Sequence, residues 1–169
     1  MPKPLLQASE SRFYPGVILV SNAGLRRGEL FSLQWENVDL QQAILTVEGA
    51  YAKSGKTRHV PLNMEALNVL KAWHNQTTGN ELVFHNKDGK RFDTIKKSWG
   101  TILKSAGIKE FRWHDLRHHF ASRLVMLDVD LNTVRELLGH ADISMTLRYA
   151  HLAPEHKANA VAKLVGAVK

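Results

Sequence analysis

Apolar residues are densest from Phe13 to Ala23, where they crowd every face and leave no clear period. Such a run is a buried helix or strand, which periodicity alone does not separate, and Gly24 closes it. Leu30 and Leu33 follow at helical spacing. Residues 43–48 are rich in β-branched side chains and read as a strand, and residues 57–61 as a second. Residues 49–56 between them form a basic hairpin tip with Gly55 as its turn residue. Asn63 suits the cap of a helix that buries Leu67, Leu70 and Trp73. Leu82 to Phe84 reads as a short strand or extended piece before a turn at 87–90. Asp93 suits the cap of a helix that turns Ile95, Trp99, Ile102 and Leu103 inward and ends near Gly107. Leu116, Phe120, Leu124 and Leu127 make the stripe of the next helix, and Val134, Leu137 and Leu138 that of another, closed by Gly139. A short helix runs from Ser144 to His151. Pro154 opens a last one over 154–167, with Ala158, Val161, Leu164 and Val165 on one side. The pattern predicts a mainly α domain with a small antiparallel β-sheet, an α+β fold without internal repeats.

Composition narrows the setting. A chain of 169 residues, 44% hydrophobic, can bury one core and is not of disordered type. No apolar run approaches the ~20 residues of a membrane span, and the first residues lack a secretory signal. Cysteine is absent, which excludes disulfide staples and cysteine-based zinc ribbons. A cytoplasmic setting fits. The 23 Lys and Arg against 16 Asp and Glu leave +7, which suggests a polyanionic partner, nucleic acid first. The excess is patchy: residues 28–48 hold four acids and no base, whereas Lys53, Lys56 and Arg58 lie close together without an acid, and Lys90 and Arg91 fall in another basic stretch.

Four segments carry chemistry-bearing side chains. His114 and Arg117 lie three apart at a helix start, so they share a face and both can donate to a phosphate. The same residues could simply be a polar helix face, and His114 with His118 has the i, i+4 spacing of a zinc pair, although no third ligand stands nearby. His140 follows Gly139 at a helix C-terminal turn, with Tyr149 nine residues on, a place where a tyrosine is usually a core or boundary residue. Arg26 and Glu29 have the spacing of a surface ion pair, flanked by Gly24 and Gly28. Lys53 and Lys56 sit on the hairpin tip, where lysines commonly solubilise or protect an edge strand.

Taken in order, these segments resemble one family. Arg26 in Gly-Leu-Arg-Arg-Gly-Glu-Leu, Lys53 in Lys-Ser-Gly-Lys-Thr-Arg-His-Val-Pro-Leu, His114-Asp-Leu-Arg117, Leu-Leu-Gly-His140 and then Tyr149 follow the succession of the tyrosine recombinases. The chain resembles the catalytic domain of a phage-type integrase over about residues 12–168. The resemblance implies a site-specific DNA recombinase that cleaves and rejoins strands through a 3′-phosphotyrosyl intermediate, without ATP, metal or redox cofactor. It implies Tyr149 as nucleophile, Arg26 and Arg117 as the clamp on the non-bridging oxygens, His140 on the same phosphate, and His114 in proton transfer and phosphate binding. Lys53 becomes the general acid for the departing 5′-oxygen, and Glu29 a support for the arginine geometry. Lys56, Arg58, Lys90 and Arg91 are assigned to flanking DNA.

Two positions depart from the family pattern: His119 stands where small residues are common, and Asp128 where glycine is frequent. Asp tolerates the left-handed conformation that glycine supplies. The resemblance further implies double-stranded DNA as partner and a homotetramer on DNA in the full-length protein, with helix 154–167 as the element that docks on a neighbour or folds back. Residues 1–11 read as an N-terminal extension or truncated linker and 12–169 as the catalytic domain, without the core-binding domain that recombinases carry ahead of it. The rival readings are a DNA-binding fragment without turnover and a type IB topoisomerase-like enzyme.

Overall fold

A computed structural model of the chain describes residues 13–53, 55–77 and 79–153. Residues 1–11 and the helix expected over 154–167 lie outside the described residues. The uniformly apolar N-terminal run is a helix, α1 (Tyr14–Ala23), started by Pro15 in its first turn and buried on nearly every side. The one hydroxyl in its interior, on Ser21, donates to the Val17 carbonyl at 2.8 Å, so the burial leaves no orphan there. A short helix α2 (Arg27–Phe31) follows.

The sheet has three antiparallel strands in the order β1 (Val38–Asp39), β2 (Ile44–Val47), β3 (Arg58–Pro61). β2 and β3 are the expected pair, in register Leu45 to Val60 and Val47 to Arg58. Two-residue β1 pairs Val38 with Leu45 and is too short to show a period in sequence. Helix α3 (Met64–Gln76) is capped by Asn63, whose side chain accepts from the Ala66 N–H. α4 (Lys96–Ser105), α5 (Trp113–Met126), α6 (Leu131–Leu138) and the single turn α7 (Ser144–Leu147) complete the described elements, together with three 3₁₀ turns.

Three expectations need adjustment. Asp93 does not cap α4: the helix starts at Lys96, and buried Ile95 occupies the cap position with no side-chain bond to the helix end. Leu127 is not on the buried stripe of α5. The inward face runs through Leu116, Phe120, Ala121 and Val125, so Leu127 rotates into solvent and is 67% exposed. Of the two alternatives for residues 82–84 the extended piece holds, with Leu82 in an isolated bridge to Gln34. The helix expected from Ser144 to His151 breaks into α7 and a 3₁₀ turn, Ala150–Leu152, with Tyr149 at the joint. Asp128 holds φ 65°, the left-handed conformation expected of it.

α1 packs against α3 on one flank and α5 on the other. The main core surrounds it with Leu30, Leu45, Val60, Leu70 and Leu116. A second cluster (Phe120, Ala121, Val125, Val134, Leu138) encloses Tyr149 between α5 and α6. Trp99 and Trp113 meet edge-on at 4.9 Å, and Trp99 donates to the Phe111 carbonyl at 3.0 Å, which ties α4 to the start of α5.

The turn after α1 aims Leu25 inward and Arg26 toward the end of α6. Gly24 makes it at φ 64°, with its N–H on the Val20 carbonyl. A Cβ on Gly24 meets the Phe120 ring at 2.4 Å. Gly24→Ala therefore suffers both left-handed strain and overpacking. The expected loss is about 2–4 kcal/mol, read by thermal or urea unfolding; a loss under about 0.5 kcal/mol contradicts the packing described.

Candidate active site

The site begins with a buried carboxylate. Arg26 is the N-cap residue of α2, and Glu29, in the first turn, accepts its backbone N–H at 2.8 Å and its Nη1–H at 2.9 Å. Arg58 reaches across from β3 and donates Nη1–H and Nη2–H to the two Glu29 oxygens at 3.0 and 2.8 Å. Glu29 is only 3% exposed. Burial on its own raises a carboxyl pKa, but the Arg58 hydrogen bonds and charge, with the Arg26 bonds, outweigh it and hold Glu29 at about 2. The spacing of Arg26 and Glu29 suggested a solvated ion pair; the structure makes it one side of a buried Arg–Glu–Arg bridge.

Arg58 is thereby corrected. It was assigned to flanking DNA, but its side chain is turned into the protein and is 9% exposed, with Nε–H also donating to the Leu137 carbonyl at 3.1 Å. Strand alternation is the cause. Arg58 shares a face with buried Val60, and that face points at the core.

Two helix ends hold the other cations. Arg117, 3% exposed, donates to the carbonyls of Gly24 at 2.5 Å and Leu138 at 2.6 Å, the C-terminal ends of α1 and α6. Those carbonyls carry the negative end of their helices, so they suit a guanidinium. Burial, then the charge of Arg26, brings Arg117 down to about 9, which leaves it cationic at neutral pH. Arg26 Nη2–H reaches the Gly139 carbonyl at 3.3 Å. Gly139 is the left-handed cap of α6, at φ 62°, and the Arg58 guanidinium lies 2.9 Å from where its Cβ would stand.

The turn after Gly139 presents His140, 8% exposed, whose Nδ1 bonds Thr146 Oγ1 at 2.8 Å. Burial, then Arg117 and Arg26, lowers His140 to about 4, so the ring is neutral at pH 7. Tyr149 is 6% exposed. Burial raises its phenol pKa against the pull of Arg148 and Arg117, and its Oη lies 2.5 Å from His118 Nδ1. His114 stands one turn before His118 on α5, the two rings edge-on at 4.8 Å. Burial first, then the charges of His118 and Arg117, lowers its pKa.

Arg26, Lys53, His114, Arg117, His140 and Tyr149 line one open cavity of about 240 Å³. All six residues given catalytic roles by the sequence are thus brought together. Lys53 comes from the hairpin tip and is exposed. His118 and Arg148 line the same cavity. In the sequence His118 stands out only as half of a zinc-type pair, although its spacing from His114 already places both on one face. Among the described residues no three His, Cys, Asp or Glu converge on a metal position. Lys56, Lys90 and Arg91 are exposed and stand apart from the cavity lining. Arg91 Nη2–H points at the Gly28 carbonyl at 3.4 Å. The arrangement is a concave set of fixed cations and neutral imidazoles beside a buried phenol, suited to a tetrahedral oxyanion such as a phosphodiester.

Comparisons with known proteins agree. The phage integrase family model matches residues 4–156. The integrase of Salmonella phage P22 is 37% identical over 150 residues, covering 80% of this chain and 38% of that protein. Tyrosine recombinase XerC of Xanthomonas campestris is 36% identical over 146 residues, covering 83% and 44%. The chain therefore spans less than half the length of these relatives. Among solved structures, XerA recombinase aligns with TM-score 0.78 and 28% identity, over 99% of this chain and 64% of that one. The catalytic domain of bacteriophage HP1 integrase aligns with TM-score 0.73 and 25% identity, over 98% and 94%.

Two outcomes follow from the electrostatics. Arg58→Met leaves Glu29 buried with half its partners, so unfolding stability at pH 7 should fall by about 3–5 kcal/mol, whereas exposed Lys56→Met should change it by under about 0.5 kcal/mol. The depressed His140 pKa means the unfolded chain takes up a proton near 6.5 while the folded chain stays neutral to about 4. Its contribution to stability is complete above 6.5 and is lost as pH falls toward 4. Denaturation midpoints across that window should decline in the native protein and decline less in His140→Asn; equal slopes contradict the buried neutral imidazole.

Proposed function

Because this chain belongs to the phage integrase family, we propose that it acts as a site-specific DNA strand transferase. Tyr149 attacks the scissile phosphodiester, forms a 3′-phosphotyrosyl link and releases a 5′-hydroxyl, and a second 5′-hydroxyl reverses the step on a new strand. The covalent link stores the bond energy, so two easier steps replace one hard step. The observation that carries this reading is the single cavity shared by Tyr149, Arg26, Arg117, His114, His140 and Lys53.

Arg26 and Arg117 bind the non-bridging oxygens, where charge grows in the transition state, and their carbonyl and carboxylate partners fix them in advance. His140 donates to the same phosphate through Nε2, since Nδ1 is engaged by Thr146. His114 offers a further contact at the cavity mouth. Lys53, on an exposed loop, protonates the leaving 5′-oxygen. Glu29 and Arg58 keep Arg26 in place. Exposed Lys56, Lys90 and Arg91 track flanking double-stranded DNA, which gives salt-sensitive affinity. The partner is duplex DNA in the cytoplasm, and the full-length protein works as a homotetramer on it. Among the described residues no helix is long and apolar enough to cross a membrane.

The test uses a pool of randomised, nicked duplexes, with covalent adducts isolated on denaturing gels. The native chain should trap a subset of sequences. Tyr149→Phe should trap none, and Arg26→Ala or Arg117→Ala should slow trapping by at least about 100-fold. Salt-sensitive DNA binding with no adduct contradicts the enzyme reading and favours a binding module.

A further inference from the structure

We propose that His118 is the general base of strand cleavage, its Nδ1 taking the phenolic proton of Tyr149 as the phenol oxygen attacks phosphorus. The inference rests on the strand-transfer reading and gives the phenolic proton to His118, not to His114, the histidine for which the resemblance implies proton transfer. His118 Nδ1 lies 2.5 Å from Tyr149 Oη, with the ring centroids 5.9 Å apart. His118 is the hydrogen-bond partner of that oxygen among the described residues, whereas the first motif histidine, His114, meets the His118 ring.

Both partners are held in place. Tyr149 donates its backbone N–H to the Thr146 carbonyl at 3.0 Å, accepts from the Leu152 N–H at 2.9 Å, and packs with Phe120, Val125 and Leu138. His118 follows Arg117, whose two bonds to helix ends anchor this stretch of α5. Tyr149 is 6% exposed, and His118 Nδ1 is the acceptor already in contact with its Oη. The surroundings also set the protonation states. Burial, opposed by Asp115 and aided by Arg148, Arg112 and Arg117, lowers the His118 pKa, which keeps the ring neutral with a lone pair available. Burial raises the Tyr149 pKa, so the phenol keeps its proton until a base removes it.

In the forward step the Oη–P bond forms and the P–O5′ bond breaks. The phenolic proton passes to His118 Nδ1, which becomes an imidazolium facing the Asp115 carboxylate. Lys53 gives a proton to the 5′-oxygen. The phosphodiester charge is −1 before and after. Strand joining runs the same transfers backwards: the incoming 5′-hydroxyl gives its proton to Lys53, and His118 returns one to Tyr149.

Two measurements test this. In the free protein, ¹⁵N spectra of the histidine rings should show His118 Nδ1 unprotonated with Nε2–H, and Tyr149→Phe should shift Nδ1. A protonated Nδ1 at neutral pH overturns the proposal, and this arm stands even if no DNA is trapped, a result that would sink only the strand-transfer reading. With a trapped nicked duplex, His118→Ala should slow adduct formation by about 100-fold or more with binding unchanged. His118→Asn keeps an acceptor that cannot take a proton, and should stay nearly as slow. Asn at wild-type rate would make His118 a positioning residue and refute the base role. The acid limb of the pH–rate profile should weaken in both variants. Groups that face His118 and could contribute to that limb are His114, Asp115, Arg112 and Arg117 from α5 and its cap, and Arg148 and Tyr149 from the turn opposite. A duplex with a 5′-bridging sulfur, which leaves without a proton, should rescue Lys53→Ala and leave His118→Ala slow; rescue of His118→Ala instead would assign His118 to the leaving group.

Discussion

The site is organised by one carboxylate that cannot reach water. Glu29 accepts four hydrogen bonds, two from Arg26 and two from Arg58. It is the anion that lets Arg26, Arg58 and Arg117 crowd beside His140 in a folded protein. Isolated buried charges cost several kcal/mol each, so a cation cluster without an anion would neutralise or unfold. Glu29 also joins distant parts of the chain, since the turn after α1, strand β3 and the end of α6 all meet around it. A cradle of this kind needs little reorganisation when a phosphate arrives, and preorganisation is the main lever for stabilising developing charge.

The helix ends supply the rest of the negative potential. Arg117 spends its donors on the Gly24 and Leu138 carbonyls, and Arg26 turns one toward Gly139. Both helices stop at left-handed glycines, which leaves these carbonyls close to the cavity. The free site is poised in its resting form: His140 and His118 are pushed toward neutrality, and burial raises the Tyr149 phenol. An incoming phosphodiester adds the negative charge the cluster lacks and favours protonated imidazole at His140.

Much of this was legible in the chain. The hydrophobic pattern located every major described helix, and strands β2 and β3, because each has a dense apolar stripe. It could not choose helix or strand for residues 13–23, since burial on all sides erases the period. It missed β1, where two residues show no alternation. The ordered motifs pointed to six of the nine residues that line the cavity, because their side chains are fixed by chemistry. Arg58 was misread because charge suggested solvent, yet its place in Arg58, Val60, Leu62 put it on the core face. His118 escaped because its partner, Tyr149, lies on a separate turn that only folding brings near. The family match and the structural neighbours agree with the fold.

Glu29 is a buried, ionised keystone, and its own titration is the sharpest check of that role. A carbon-detected NMR titration of the Glu29 carboxyl in the folded protein should give a midpoint of about 2, far below the ordinary 4.5. Arg58→Met should move it upward. A midpoint near 4.5 in the native protein, insensitive to Arg58, would mean that Glu29 is not held ionised by this bridge.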